Sequence, residues 1–98
     1  MSTLSHLSRE LGVPESSLLQ EALEAWLLKK IAEIDQRIVV IAQQYGTESP
    51  DGIEALIRDG TIDGHPAWED AIRLEGLQEY RHKLWQQIIS TRRPIRDN

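Results

Sequence analysis

From Pro14 to Tyr45 the chain runs thirty-two residues without an internal glycine or proline, and its apolar positions recur at helical spacing. Leu27, Ile31, Ile34, Ile38, Ile41 and Tyr45 follow one another in alternating steps of four and three, the spacing of a heptad seam. Proline at a first helical turn loses only an N–H that has no partner there, and glycine past the last turn accepts a left-handed cap. Pro14 and Gly46 therefore bound one helix, predicted over 14–45. At 1.5 Å per residue it is about 48 Å long, more than a compact domain of this size requires. A second stripe, Leu18, Ala22, Leu28, Ala32 and Val39, widens the apolar face beyond what one neighbouring helix covers. The pattern predicts a spine buried against its own chain and against a partner.

Three further helices follow from the same signals. Leu4, Leu7 and Leu11 share a face before Gly12, which predicts a short helix over 3–11. Ser49 is placed to cap a helix opening at Pro50, with Asp51 and Glu54 at its positive end and Ile53, Leu56 and Ile57 on one face, over 50–59. Ile62 is the inward anchor of the turn at 60–64. Pro66 opens the last helix, 66–90, whose apolar stripe is again wide and is interrupted by Gly76. That glycine points to a close helix–helix approach or to nothing. No strand is predicted, because Ile38–Ile41, the one β-branched run, keeps the helical period on both flanks. The expected architecture is all-α and short–long–short–long, with the long helices antiparallel in a helical-bundle homodimer. One domain spans 1–91, and 92–98 is a basic flexible tail.

Composition narrows the chemistry. The chain of 98 residues has no cysteine, which removes disulfides and thiolate metal sites and makes a reducing cytoplasm the expected compartment. Met1–His6 shows no basic region followed by an apolar run, so no signal peptide is expected, and no stretch has the length of a membrane span. Net charge is −5, unevenly placed. Residues 48–79 carry nine acids against Arg58 and Arg73, a balance of −7, whereas residues from Arg81 onward sum to +4. An acidic middle suits a basic partner surface such as a nuclease cleft, or serves solubility alone.

Catalytic signals are weak. There is no glycine-rich phosphate loop, and His6, His65 and His82 lie on different elements. Asp63, His65, Glu69 and Asp70 form the best metal candidate, yet a polar turn feeding a helix explains them more simply, and neither a metal nor a cofactor is expected. Trp26 and Trp85 sit on core-like stripes and are expected to be core residues, while Trp68 is either a core plug or an interface anchor. Arg81, Lys83, Arg92, Arg93 and Arg96 could touch phosphates, or compensate the helix C-terminus.

Residues 7–27, with Leu7 and Leu11 before Gly12, Glu15-Ser16-Ser17, and Leu18-Leu19-Gln20-Glu21-Ala22-Leu23, resemble the helix pair of ribbon–helix–helix proteins, many of them antitoxins of type II toxin–antitoxin modules. The resemblance implies a dimer packed by Leu19, Leu23 and Trp26 and a weak phosphate contact at the turn, at Val13, Ser16 and Ser17. It covers about a fifth of the chain. It lacks the family's base-reading strand, and Pro14 stands where Ser or Thr is usual, so it does not imply sequence-specific DNA binding. The downstream half, from Tyr45-Gly46 through Asp63-Gly-His-Pro-Ala-Trp-Glu-Asp, is similar to small helical proteins encoded beside toxins.

The expected function is that of an antitoxin-like, non-enzymatic, cytoplasmic protein-binding module. It dimerises through its long helix (Leu19, Leu23, Trp26, Leu27, Ile31, Ile34, Ile38 and Ile41). It neutralises a basic toxin, such as a ribonuclease, through Trp68, Glu69, Ile72, Leu74 and Glu75. The alternatives are a structural homodimeric bundle with no toxin partner and a small DNA-binding regulator. Nucleic-acid binding is expected to be weak.

Overall fold

The computed structural model describes residues 3–92, and these form four helices and no strand. They are α1 (Thr3–Leu11), α2 (Glu15–Tyr45), α3 (Pro50–Arg58) and α4 (Gly64–Arg92). The fold is all-α, as the apolar spacing predicts. Pro14 caps α2 rather than joining it, and Gly46 closes the helix with φ 71°, its N–H donating to the Ala42 carbonyl at 2.7 Å. Ser49 caps α3 by accepting from the Gly52 N–H at 3.0 Å. In α4 the backbone of His65 is non-helical and the His65–Pro66 peptide is cis, so regular helix begins at Pro66. It continues past the predicted end, through Arg92. The rest of the predicted tail, 93–98, lies outside the described residues.

α2 and α4 run antiparallel along one another, which their paired side chains record. Gln20 Nε2 donates to the Thr91 carbonyl at 3.1 Å, and Arg92 donates to both carboxylate oxygens of Glu24, at 2.9 and 3.2 Å. Further along, Arg81 meets Asp35 at 2.9 Å, and at the far end the Tyr45 hydroxyl donates to Asp70. Between these contacts Leu27, Ile31, Ile34, Ile38 and Ile41 pack with Ala67, Ala71, Leu74, Leu84 and Ile88. Ile53, fully buried, enters from α3 where α4 is small at Ala67 and Ala71, and Tyr45, Ile57, Ile62 and Leu77 border the cluster. Ile62 thus packs against the core from its turn.

This core is one seam wide. The molecule measures 62 × 33 × 19 Å, and its radius of gyration is 20.0 Å, against about 13 Å for a compact chain of this length. The wide stripes find no cover inside the chain: Leu28 and Val39 of α2 are exposed, as are Ala22 and Ala32. Trp26 and Trp85, expected in the core, are instead 50 % and 42 % exposed. Each is next to a buried leucine, Trp26 before Leu27 and Trp85 after Leu84, and one residue of helix turns a side chain by about 100°, out of a seam this narrow. Nor does Gly76 mark a close approach, since a Cβ there would meet nothing within 4 Å.

The closed end is held by a polar cluster. Asp70 is buried and accepts from Tyr45 and from Arg73 Nη1, the latter at 2.8 Å. The hydrogen bond to Asp70, then burial, pushes the Tyr45 phenol up to about 12. A raised folded-state pKa stabilises the protonated form. That stabilisation is complete below the ordinary tyrosine value of 10.0 and disappears as pH rises to about 12.

Two predictions follow from the packing and one from the titration. Leu74→Ala should lower the unfolding free energy by about 2–5 kcal/mol, whereas Gly76→Ala should raise it by roughly 0.5–1 kcal/mol; denaturant melts at neutral pH read both. Tyr45→Phe should be less stable than the parent below pH 10.0, with the difference closing as pH approaches about 12. Parallel melts across that window report the closure, and a constant gap would remove the Tyr45–Asp70 bond as its cause.

Candidate partner-binding groove between α3 and α4

α4 turns Ala67, Ala71 and Leu74 inward, so the residue after each, Trp68, Ile72 and Glu75, is rotated onto its flank. The first turn of α3 lies beside that flank because Ile53 is anchored in the core one turn further on. The result is a groove of about 280 Å³ lined by Pro50, Asp51, Glu54, Trp68, Ala71, Ile72 and Glu75. Three of these are carboxylates and none is basic. Trp68 and Ile72 are 61 % and 70 % exposed, and the indole stands over the Gly64 turn, where an added Cβ would lie 3.8 Å from Trp68 Cδ2. An aromatic ring beside carboxylates offers apolar area together with attraction for a cation, the combination that a basic or mixed basic–apolar segment needs.

Of the residues assigned to the partner surface by sequence, Trp68, Ile72 and Glu75 come together in this groove. Glu69 points away and pairs with His65, Oε1 to Nδ1 at 3.0 Å, both side chains being exposed. Leu74 requires a correction: it is completely buried in the core and cannot touch a partner. The assigned dimer residues divide in the same way. Leu27, Ile31, Ile34, Ile38 and Ile41 are buried within the chain because α4 covers them, and they are unavailable to a second copy. Leu19, Leu23 and Trp26 remain, each half-exposed, with Lys30 Nζ 5.6 Å from the Trp26 ring centroid.

The expected phosphate turn is engaged locally. The Val13 N–H donates to the Ser8 carbonyl at 3.1 Å and the Val13 carbonyl accepts from the Ser8 hydroxyl; Ser16 is exposed and Ser17 half-buried. Arg81 and Arg92 are tied to Asp35 and Glu24, and the Arg92 hydrogen bond lowers the Glu24 pKa below the ordinary carboxylate value. Arg93 and Arg96 lie outside the described residues. Asp63, His65, Glu69 and Asp70 do not converge: among the described residues no three histidines or carboxylates are placed to hold a metal ion. Nor is any helix among them long and apolar enough to cross a membrane.

Sequence reasoning missed the α3 wall. Asp51 and Glu54 read as charges complementing a helix dipole, and no spacing rule says which helix a solvent-facing carboxylate will border. The available signal was the apolar face Ile53–Leu56–Ile57, which obliges α3 to dock and turns Asp51 and Glu54 along its edge.

No curated protein and no solved structure matches the chain. A family model does match, over residues 1–91, and its span takes in α1, α2, α3, all of α4 but Arg92, and both walls of the groove. On that match the chain belongs to the family described as "Uncharacterized protein MJ0235 family".

Proposed function

We propose that this protein is a non-catalytic, antitoxin-like binding module of the cytoplasm, whose acidic α3–α4 groove docks a basic protein such as a ribonuclease toxin. The observation that carries this reading is the exposure of Trp68 and Ile72 in a groove walled by Asp51, Glu54 and Glu75. Large apolar side chains at the centre of a charged rim are the arrangement that concentrates binding energy at protein interfaces. Salt-sensitive attraction from the −7 segment would steer a basic partner toward them. The resemblance of residues 7–27 to antitoxin helix pairs points the same way.

A structural homodimer with no toxin partner is the second reading, and the half-exposed Leu19, Leu23 and Trp26 favour it. A DNA-binding role draws less support. The Val13 amide already has a backbone partner, and two of the basic side chains, Arg81 and Arg92, are held by carboxylates of the same chain.

The test is co-expression with any small basic protein encoded beside this one, followed by affinity capture and a growth assay. The parent should co-purify with that protein and relieve its toxicity. Trp68→Glu with Ile72→Glu should abolish both effects while leaving helical circular dichroism unchanged. Capture that survives the double substitution would move the docking surface elsewhere, and a neighbour that is neither toxic nor captured would end the antitoxin reading.

A further inference from the structure

The flank of α4 that carries Trp68 and Ile72 does not end at the groove. Glu75, His82, Trp85 and Ile89 continue it, each following an inward-facing or half-buried residue (Leu74, Arg81, Leu84, Ile88), so all six lie on one stripe. Trp85 and Ile89 are exposed, like Trp68 and Ile72, and these four are most of the large apolar area that α4 leaves uncovered. The order along the stripe is symmetric about the point between Gln78 and Glu79. Read from either end it runs apolar, apolar, charged or titratable, then the reverse, with steps of four and three residues on each side.

A helix with such a stripe is complementary to itself when turned end for end, as a two-fold axis requires. Antiparallel α4 helices crossing at that midpoint place Trp68 opposite Ile89 of the partner, Ile72 opposite Trp85, and Glu75 opposite His82. The charge distribution selects the same orientation. Along α4 itself, residues 64–79 carry Glu69, Asp70, Glu75 and Glu79 against Arg73. Residues 81–92 carry Arg81, Lys83 and Arg92 with no acid, Arg81 and Arg92 being paired with Asp35 and Glu24 of their own chain. An antiparallel pair sets the acidic half of each helix along the other's basic half. A parallel pair would set Glu75 against Glu75 and acidic halves against each other, which is unfavourable.

We infer that a second copy of this chain docks on the α4 flank, α4 against α4 in antiparallel register, with the Trp85–Ile89 end of each copy seated in the Trp68–Ile72 groove of the other. The inference rests on the reading of that groove as a docking surface for a basic–apolar segment and supplies its resident occupant. A toxin that uses the groove would then compete with the second copy.

Light scattering and disulfide trapping on the full chain test this separately from toxin binding. The parent should have twice the chain mass, and Ile72→Glu or Trp85→Glu, both at exposed positions, should halve it with helical circular dichroism retained. Glu75→Lys and His82→Glu should each weaken the dimer, and the two together should restore it. Because the chain has no cysteine, Ile72→Cys combined with Trp85→Cys should oxidise to a covalent dimer, whereas either cysteine alone should not. A monomeric parent would overturn the inference and leave toxin docking standing. A dimer that ignores the α4 variants but is broken by Leu23→Glu would overturn it in favour of the α2 strip. Failure of toxin capture with the dimer intact would remove only the toxin.

Discussion

Everything else in this molecule hangs on the contact between one edge of α2 and one edge of α4. Burying an isoleucine or leucine stabilises a fold by about 1.5–3 kcal/mol, and the seam repeats that contact from Leu27 to Ile41 on one helix and from Ala67 to Ile88 on the other. The ion pairs along its margins, Asp35–Arg81 and Glu24–Arg92, are exposed to water, where such pairs contribute roughly 0–1 kcal/mol each. They fix register more than they hold the helices together. Because the seam is a single row, residues one position off it face solvent, and the protein carries its tryptophans on the outside.

That constraint connects packing to function. A chain that buries only a narrow stripe from each long helix leaves apolar flanks along most of its 62 Å length. α3 covers part of one flank and in doing so creates a groove whose floor is apolar and whose walls are acidic. The same geometry that limits the intramolecular core therefore generates the groove to which recognition is assigned in the proposed function. Polar fastening is confined to the closed end, where Asp70 is buried with both carboxylate oxygens engaged, by Tyr45 and by Arg73. An unpaired carboxylate there would be costly, so the cluster holds the base of the groove in one arrangement.

The two occupants proposed for the groove share one chemistry. A basic toxin and the basic end of a second α4 would each bring apolar side chains flanked by positive charge, and the carboxylates do not discriminate between them. On that proposal, self-association and partner capture would compete for one surface. The competition would couple the amount of free partner to the oligomeric state by mass action.

Helix number, helix class and the placement of boundaries to within a residue or two could be read from the chain alone. Those features rest on local chemistry: apolar spacing, Ser49 and Pro50 at a start, Gly46 at an end. The heptad seam of α2 was equally legible, and an exposed Trp68 was one of the two options the chain offered. What the chain could not say is which helix covers the seam. Leu27 to Ile41 would look the same facing a second copy or facing α4, because periodicity reports that a side is apolar and not what lies against it. Only the tertiary structure decided that α4 takes the seam and buries Leu74, that Trp26 and Trp85 turn outward, and that Asp51 and Glu54 come to stand beside Trp68. Each of these depends on the rotation of one helix relative to another, a quantity set by packing between segments distant in sequence.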